Sequence, residues 1–537
     1  MSPTVEFDAM MSIGHQATRV PRLEPESPSA AQGGQMENAG AVPAVEPRIL
    51  NILLVVLNAL RQSDVECCYW KSSRRLQAVL SGESDFDLLV ARSDQHRATQ
   101  AMLACGFKRF ESANCHGHPA VQSFLGYDDP SGRIVHLHLH FRLVVGQPLL
   151  RNYQLPWEQL ILASAIPHPT LPIRMLDPTS EALLLLVRGS LELRRRDPIV
   201  LRNWQSAQEK FELDRLHLAP QVDRRSLRDQ AARLVKEDVA EAIAEALFAA
   251  QPFAAQHRLQ ARIRKELAAY RTYNSVDALV RGIGRAILWI AGGLNKRFVH
   301  IPRPWSRRAP GGGIVVALVG IDGSGKTTVT TAIRQWLGAE VDVLPIYFGT
   351  GGGRPSLLLL PFKLLVPMAS WALGTKPAGS SHGGISDRPP GPFYSALLAV
   401  WASIVAVEKR NKLLAARRGA DRGMVVITDR FPQDQIAEFN DAPLLPRLAK
   451  IPAWLRRFEA NAYALARRLP PDLVIKLQTT PEVIMSREPD MDPLVIRRRV
   501  PALQQLTFGG AAVVSLDAGQ PLADVIRSAK AAIWQLL

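Results

Sequence analysis

The chain has 537 residues, 47% of them apolar, with 65 Lys/Arg against 49 Asp/Glu and a formal charge of +16. That length and apolar share can fill the cores of roughly two to four domains. Four cysteines, Cys67, Cys68, Cys105 and Cys115, are too few and too unevenly spaced for a disulfide framework or a zinc site. The first residues lack the basic-then-apolar order of a secretory leader, so a reducing, cytoplasmic setting is expected.

The charge is uneven. Residues 181–310 hold 24 Lys/Arg against 14 Asp/Glu. Such a basic middle attracts nucleic acid, anionic lipid or anionic substrates, or else is the solvated face of Arg-rich helices. No aromatic-interleaved basic motif accompanies it, so no specific nucleic-acid partner is expected.

In chain order, residues 1–45 are rich in Ser, Pro, Ala, Gly and Gln without apolar periodicity and read as a disordered tail. From Ile49 the pattern becomes globular. Ile49–Leu60 reads as a helix, and Val65–Trp70 and Phe86–Val90 as strands. Gln95–Cys105 reads as a helix leading to Phe107–Phe110, and Ile134–Phe141 as a further strand. Residues 178–300 are Ala/Leu/Arg/Glu-rich and mostly helical. Arg303–Gly312, with its Pro, Arg and Gly, reads as a linker. The expected domains are thus 46–175, a helical connector over 176–302, a linker over 303–312 and a C-terminal domain over 313–537. Two apolar stretches invite a membrane reading. Pro355–Leu373 is broken by Pro361, Lys363 and Pro367 and falls short of about 20 clean residues, so no transmembrane segment is expected. Leu279–Phe298 is basic and amphipathic; peripheral membrane contact is one use of its apolar face and core packing the expected one.

The C-terminal part carries the sharpest motif. The apolar run Ile314–Val319 enters Gly320-Ile-Asp-Gly-Ser-Gly-Lys-Thr-Thr328, and helix-compatible sequence follows from Thr327 to Leu337. A buried strand leading into G-x-x-x-x-G-K-[ST] is a P-loop. Its glycines let successive backbone N–H groups point into one concavity at a helix N-terminus. Gly320, Asp322, Gly323, Ser324, Gly325, Lys326, Thr327 and Thr328 are the expected ATP-binding set. Lys326 would reach the β- and γ-phosphates, and the Thr327 hydroxyl would hold Mg²⁺. Further strands are expected over Val341–Phe348, Met424–Thr428, Asp472–Gln478 and Ala512–Leu516. Five strands alternating with helices predict an α/β fold, a three-layer P-loop NTPase with a parallel sheet. An acid at a strand end, here Asp429, is where a carboxylate faces Mg²⁺ or phosphate in such folds.

The P-loop with its acid Asp322, the strand-end Asp429-Arg430-Phe431, the Arg487 region and Leu516-Asp517-Ala518 together resemble the thymidylate kinase family of nucleoside monophosphate kinases, over about residues 313–537. The resemblance implies that Lys326 and Arg487 stabilise the transferring phosphoryl group. It also implies that Asp429 positions Mg²⁺ or the acceptor, and that Arg430 grips the acceptor phosphate. ATP and Mg²⁺ are the implied cofactors, and a nucleoside monophosphate, thymidylate in the family, the implied acceptor. Two family positions have only stand-ins: Arg354 for an acceptor-phosphate arginine and Arg410 for a base-reading one. The insertion 354–392 has no counterpart in short family members. Asp429 and Arg430 also fit a structural ion pair, Asp322 also fits a turn cap, and Arg497-Arg498-Arg499 reads as a solvated helix face.

Trp70-Lys-Ser-Ser-Arg-Arg, a short helix, and a strand opening with Asp85-Phe-Asp87 resemble the nucleotidyltransferase superfamily. There a Gly-Ser pair binds triphosphate and D-x-D binds Mg²⁺, which implies an α+β domain with Asp85 and Asp87 as metal ligands. Alternation along a strand places both carboxylates on one face. Lys71 stands where the glycine is expected, and the next candidate strand reads His136-Leu-His-Leu-His140. Those three histidines read either as ligands for a metal or phosphate or as a polar sheet face. The whole arrangement is similar to that of bacterial thymidylate kinase-like proteins, some from surface-polysaccharide gene neighbourhoods. A sugar or glycan acceptor is therefore the alternative kinase substrate, and a nucleotide sensor without catalysis the alternative of another class.

Overall fold

The computed structural model describes residues 49–113, 117–148, 150–193, 201, 203–249, 253–349, 392–436, 439, 441–447 and 451–537. The expected tail 1–45, Cys115, Arg354 and nearly all of the insertion 354–392 lie outside the described residues. The described residues are mixed α/β and divide into two compact units, one within residues 1–101, 145–148 and 153–272, the other within residues 102–144, 149–152 and 273–537.

In the first unit, Phe86–Val90 pairs antiparallel with Cys67–Tyr69, Cys68 opposite Leu89. Tyr69 then pairs parallel with Met175, and Arg174–Met175 pairs antiparallel with Ile166–Pro167. Phe86, Leu88, Leu89 and Val90 are buried, while Asp85 and Asp87 are half-buried. From Pro178 onward its described residues are mostly helical, as the composition predicts: Pro178–Glu192, Trp204–Leu218, Arg224–Ala232, Glu237–Phe248 and Phe253–Glu266. The first of these begins where Asp177 accepts hydrogen bonds from the N–H groups of Thr179 and Ser180, with Pro178 at its first position.

The second unit is built on a five-stranded, all-parallel sheet. Its strands are β1 (Ile314–Gly320), β2 (Val343–Tyr347), β3 (Val425–Asp429), β4 (Leu473–Gln478) and β5 (Ala512–Asp517), in the order β2-β3-β1-β4-β5. All seven residues of β1 are buried, which is why they read as one apolar run: a central parallel strand is covered on both faces. One face packs on the helices Lys326–Gly338 and Leu522–Leu536 through Val329, Ile333, Ala529 and Ile533. The other packs Ala317, Val319 and Ile321 against Phe348, Leu413 and Phe431.

The same unit holds three antiparallel strands, Lys108–Ser112, Val121–Asp128 and Arg133–His140, in register from Val121 opposite His140 to Asp128 opposite Arg133. They join the first of the two cores above, where Tyr127 meets the rings of Trp336 and Trp534 at 5.6 and 6.1 Å. The stretch read as a linker contributes a short strand, Arg307–Arg308, antiparallel to Ser112 and Glu111. The helix Ser275–Leu294 departs from expectation. Its only buried residue is Gly292, so core packing is not the use of its apolar face.

Candidate functional site

The glycine-rich loop joins the C-terminal end of β1 to the helix Lys326–Gly338. Its backbone needs glycine. Gly323 and Gly325 have φ of +84° and +85°, a region costly to residues with a Cβ. A Cβ at Gly320 would sit 2.5 Å from Ser324 Oγ. Ser324 Oγ is itself buried and has no hydrogen-bond partner among the described residues. Loop and helix start thus form a cradle with an unused polar atom, which fits an oxyanion held by backbone N–H groups.

Lys326 is buried at the helix start. Its Nζ donates to Ile321 O at 2.8 Å and lies 3.4 Å from Asp322 Oδ1. Burial holds its ammonium below the usual lysine range, with Asp322 opposing that shift. Asp322 also accepts from Arg430 NH2 at 2.5 Å, and Arg430 NH1 lies 3.8 Å from Asp441 Oδ1. Burial pushes the Asp322 carboxyl up, but the charges of Lys326 and Arg430 outweigh it and hold the group below its ordinary value.

Arg430 is placed by topology. β3 lies beside β1, with Asp429 opposite Leu318, and Arg430 N donates to Leu318 O at 2.9 Å. Its φ of +66° is left-handed for a non-glycine residue, a strain that clusters at ligand-holding sites. Asp429 Oδ1 is buried with no hydrogen-bond partner among the described residues. Burial raises the Asp429 carboxyl, and Lys326 and Arg430 only partly offset it. Such an oxygen, together with the exposed Thr327 hydroxyl on the first turn of the helix, is a donor set suited to a hard divalent cation.

Arg487 reaches the loop from the end of the helix Pro481–Arg487. Its NH1 donates to Gly323 O at 3.3 Å and its NH2 to Ala518 O at 3.2 Å. The loop, the Asp429-Arg430 strand end, Arg487 and Ala518 are thus brought together. Thr328 is exposed beside Thr327, and Arg410 is exposed on its helix. Phe431 lies in an aromatic cluster with Phe348 and Phe508, at 5.6 and 5.9 Å.

Three charged residues here escaped the sequence reading. Lys409, next to Arg410, is buried, donates to Asp441 O at 2.9 Å and Tyr463 Oη at 2.6 Å, and is pushed down to about 8 by burial. Asp441 is buried as well. Within Arg497-Arg498-Arg499, read as a solvated face, the first two are exposed, whereas Arg499 is half-buried and its charge acts on Asp322. No motif marks any of the three; they sit in segments whose register only the fold supplies.

In the first unit, Asp87 Oδ2 lies 3.9 Å from Lys71 Nζ, and Lys71 Nζ lies over the Trp70 ring at 4.5 Å. The Ser73 N–H and hydroxyl both donate to Glu181 Oε1, at 2.8 and 3.1 Å. A carboxylate therefore takes up the donors that the resemblance assigns to a phosphate. Burial pushes Glu181 up to about 7 against those hydrogen bonds. The free thiols of Cys67 and Cys68 are pushed up to about 12 by burial, so neither is a nucleophile at neutral pH. In the second unit, the His136 and His138 rings are 4.0 Å apart, and His136 Nδ1 lies 3.2 Å from Arg307 NH2.

A parallel α/β sheet whose central strand ends in a glycine-rich loop and a buried lysine defines a class of proteins built to hold an anion at a helix N-terminus. No family model matches the chain. It is 30% identical over 227 residues to the uncharacterized ATP-binding protein YghS of Escherichia coli K12, covering 42% of this chain and 93% of that protein. It is 26% identical over 231 residues to the uncharacterized ATP-binding protein YghR of the same strain, covering 41% of this chain and 86% of that protein. The YghR protein of strain O6:H1 matches equally. The chain belongs to the YghS family.

Proposed function

We propose that the chain binds ATP with Mg²⁺ and transfers the terminal phosphoryl group to a nucleoside monophosphate, thymidylate by resemblance. The observation that carries this reading is the charge chain Lys326–Asp322–Arg430, which ties the loop to the end of β3. Both cations are partnered by one carboxylate, and incoming phosphates would compete with it for them. The names of the YghS and YghR relatives, both ATP-binding, support the nucleotide.

In this reading the loop N–H groups and Lys326 bind the β- and γ-phosphates, with Ser324 Oγ free to join them. Thr327 and Asp429 would hold Mg²⁺, which supplies charge neutralisation between the phosphates. Arg430 grips the acceptor phosphate, where a planar fork suits two oxygens. Arg487 lies over the loop to meet charge developing on the transferred group.

The test is ADP release by the purified chain across nucleoside monophosphates and sugars. Turnover with thymidylate or another nucleoside monophosphate supports the proposal. Turnover confined to a sugar or glycan replaces the acceptor. ATP binding without turnover on any acceptor makes the chain a nucleotide sensor.

A further inference from the structure

The helix Ser275–Leu294 exposes a long apolar face: Val276 is 71% exposed, Leu279 64%, Val280 63%, Ile283 53%, Ile287 60% and Ile290 44%. Their spacing of three and four residues keeps them on one side. The opposite side carries Arg281, Arg285 and Gly292. Gly292 is the side that meets protein, since a Cβ there would sit 2.9 Å from Trp305 Cβ. The following turn fixes the helix further. Asn295 Oδ1 accepts from Ile301 N at 2.7 Å, and Lys296 Nζ donates to Gly338 O. The apolar face is therefore the one turned to solvent. The helix also holds Gly282, Gly284 and Gly293 in open space, and glycine is a poor helix former in water. A second surface would stabilise both the face and the helix.

We propose that this face docks on an anionic lipid surface, with the helix lying in the plane of the interface. Three observations favour lipid over a second copy of the chain. Between residues 274 and 303, Asp277 is the single acid against five Lys/Arg, the sign that anionic headgroups attract. The apolar face is broad, with Leu279, Gly284, Ala286 and Ala291 beside its central row, where a paired helix would carry charged residues that set register. At the helix end Phe298 is 48% exposed with the Arg297 guanidinium 5.5 Å from its ring centre, an aromatic–cation pair suited to headgroup depth. Among the described residues no helix is long and apolar enough to cross a membrane, so the helix lies on the bilayer rather than spanning it.

The experiment is flotation of the full chain with phosphatidylcholine vesicles and with vesicles carrying about 30% phosphatidylglycerol, at low and high salt. Binding to the anionic vesicles should be about tenfold stronger and should weaken with salt. The double change Ile283→Glu, Ile287→Glu, at two exposed positions, should reduce it about tenfold with an unchanged thermal melt. Arg281→Gln with Arg297→Gln, at two exposed positions, leaves the apolar face intact and should lose the preference for anionic lipid. Absence of binding to either vesicle, equal binding to both, or undiminished binding by the Glu variant overturns the proposal. So does a concentration-dependent dimer that the Glu variant abolishes without any lipid binding, which would give the face to a second copy.

Discussion

Asp322 is the residue on which the charge balance of the loop turns. It holds Lys326 and Arg430 at once, at 3.4 and 2.5 Å, and neither cation is strongly solvated. Lys326→Ala should therefore leave the fold standing, because Asp322 keeps Arg430 as partner. Turnover should fall at least about 100-fold, as a charge facing the transferring group is lost. Steady-state kinetics with a thermal melt on the same sample checks both halves; near-normal turnover in a folded variant would sink the kinase reading. Arg430→Lys asks a different question. Lysine offers a point charge in place of a fork, so turnover should drop about tenfold or more while ATP affinity stays within a factor of about two. Equal loss of ATP affinity would make Arg430 a structural partner of Asp322 and Asp441.

Among the elements, Glu181 shows how a helix start can answer a neighbouring turn. Asp177 caps the helix Pro178–Glu192, and the Glu181 carboxylate in its first turn receives the Ser73 N–H and hydroxyl. Its carboxyl is raised from 4.5 to about 7 in the fold. A raised folded-state value means the contribution to stability is full below the unfolded value and is lost as pH rises through the folded one. Relative to wild type, Glu181→Gln should therefore gain about 3 kcal/mol between pH ~4 and ~8. Denaturant unfolding across that range measures it, and a difference that does not vary with pH would mean that the carboxyl titrates in the fold as it does in the unfolded chain. Legibility in the sequence also divides by element. β1 and β3 announce themselves because parallel strands covered on both faces are near-continuous apolar runs, and β4 does so with Lys476 interrupting the run. The strand Val121–Asp128 goes unread because it buries Gln122, Ser123 and Asp128 alongside Phe124 and Leu125, which destroys the apolar signal. The helix Ser275–Leu294 shows the opposite limit. Periodicity tells which side chains share a face, not what covers that face. At the site, the loop and Asp429-Arg430 are contiguous motifs and could be read. Lys409, Asp441 and Arg499 reach it through tertiary packing and leave no local trace.

For the molecule as a whole, the two sequence resemblances predict chemistry that can be separated. The loop, Asp429, Arg430 and Arg487 all belong to the second unit, whereas Asp85 and Asp87 belong to the first. Asp85 and Asp87 are both half-buried and flank the buried Phe86, the alternation expected of two carboxylates on one strand face. Two such groups repel, and a cation between them relieves the repulsion; Lys71 Nζ lies 3.9 Å from Asp87. The full chain should therefore bind Mn²⁺ or Mg²⁺ in the absence of nucleotide. Asp85→Asn with Asp87→Asn should weaken that binding at least about tenfold, since both are hard oxygen ligands whose charge is removed. ATP turnover, if the second unit alone carries it, should stay within a factor of about two. Titration calorimetry of both proteins, followed by ADP release on the same samples, is the check. Unchanged metal binding in the double variant would leave Asp85 and Asp87 as a polar strand face. Loss of turnover together with metal binding would mean that the two chemistries are coupled.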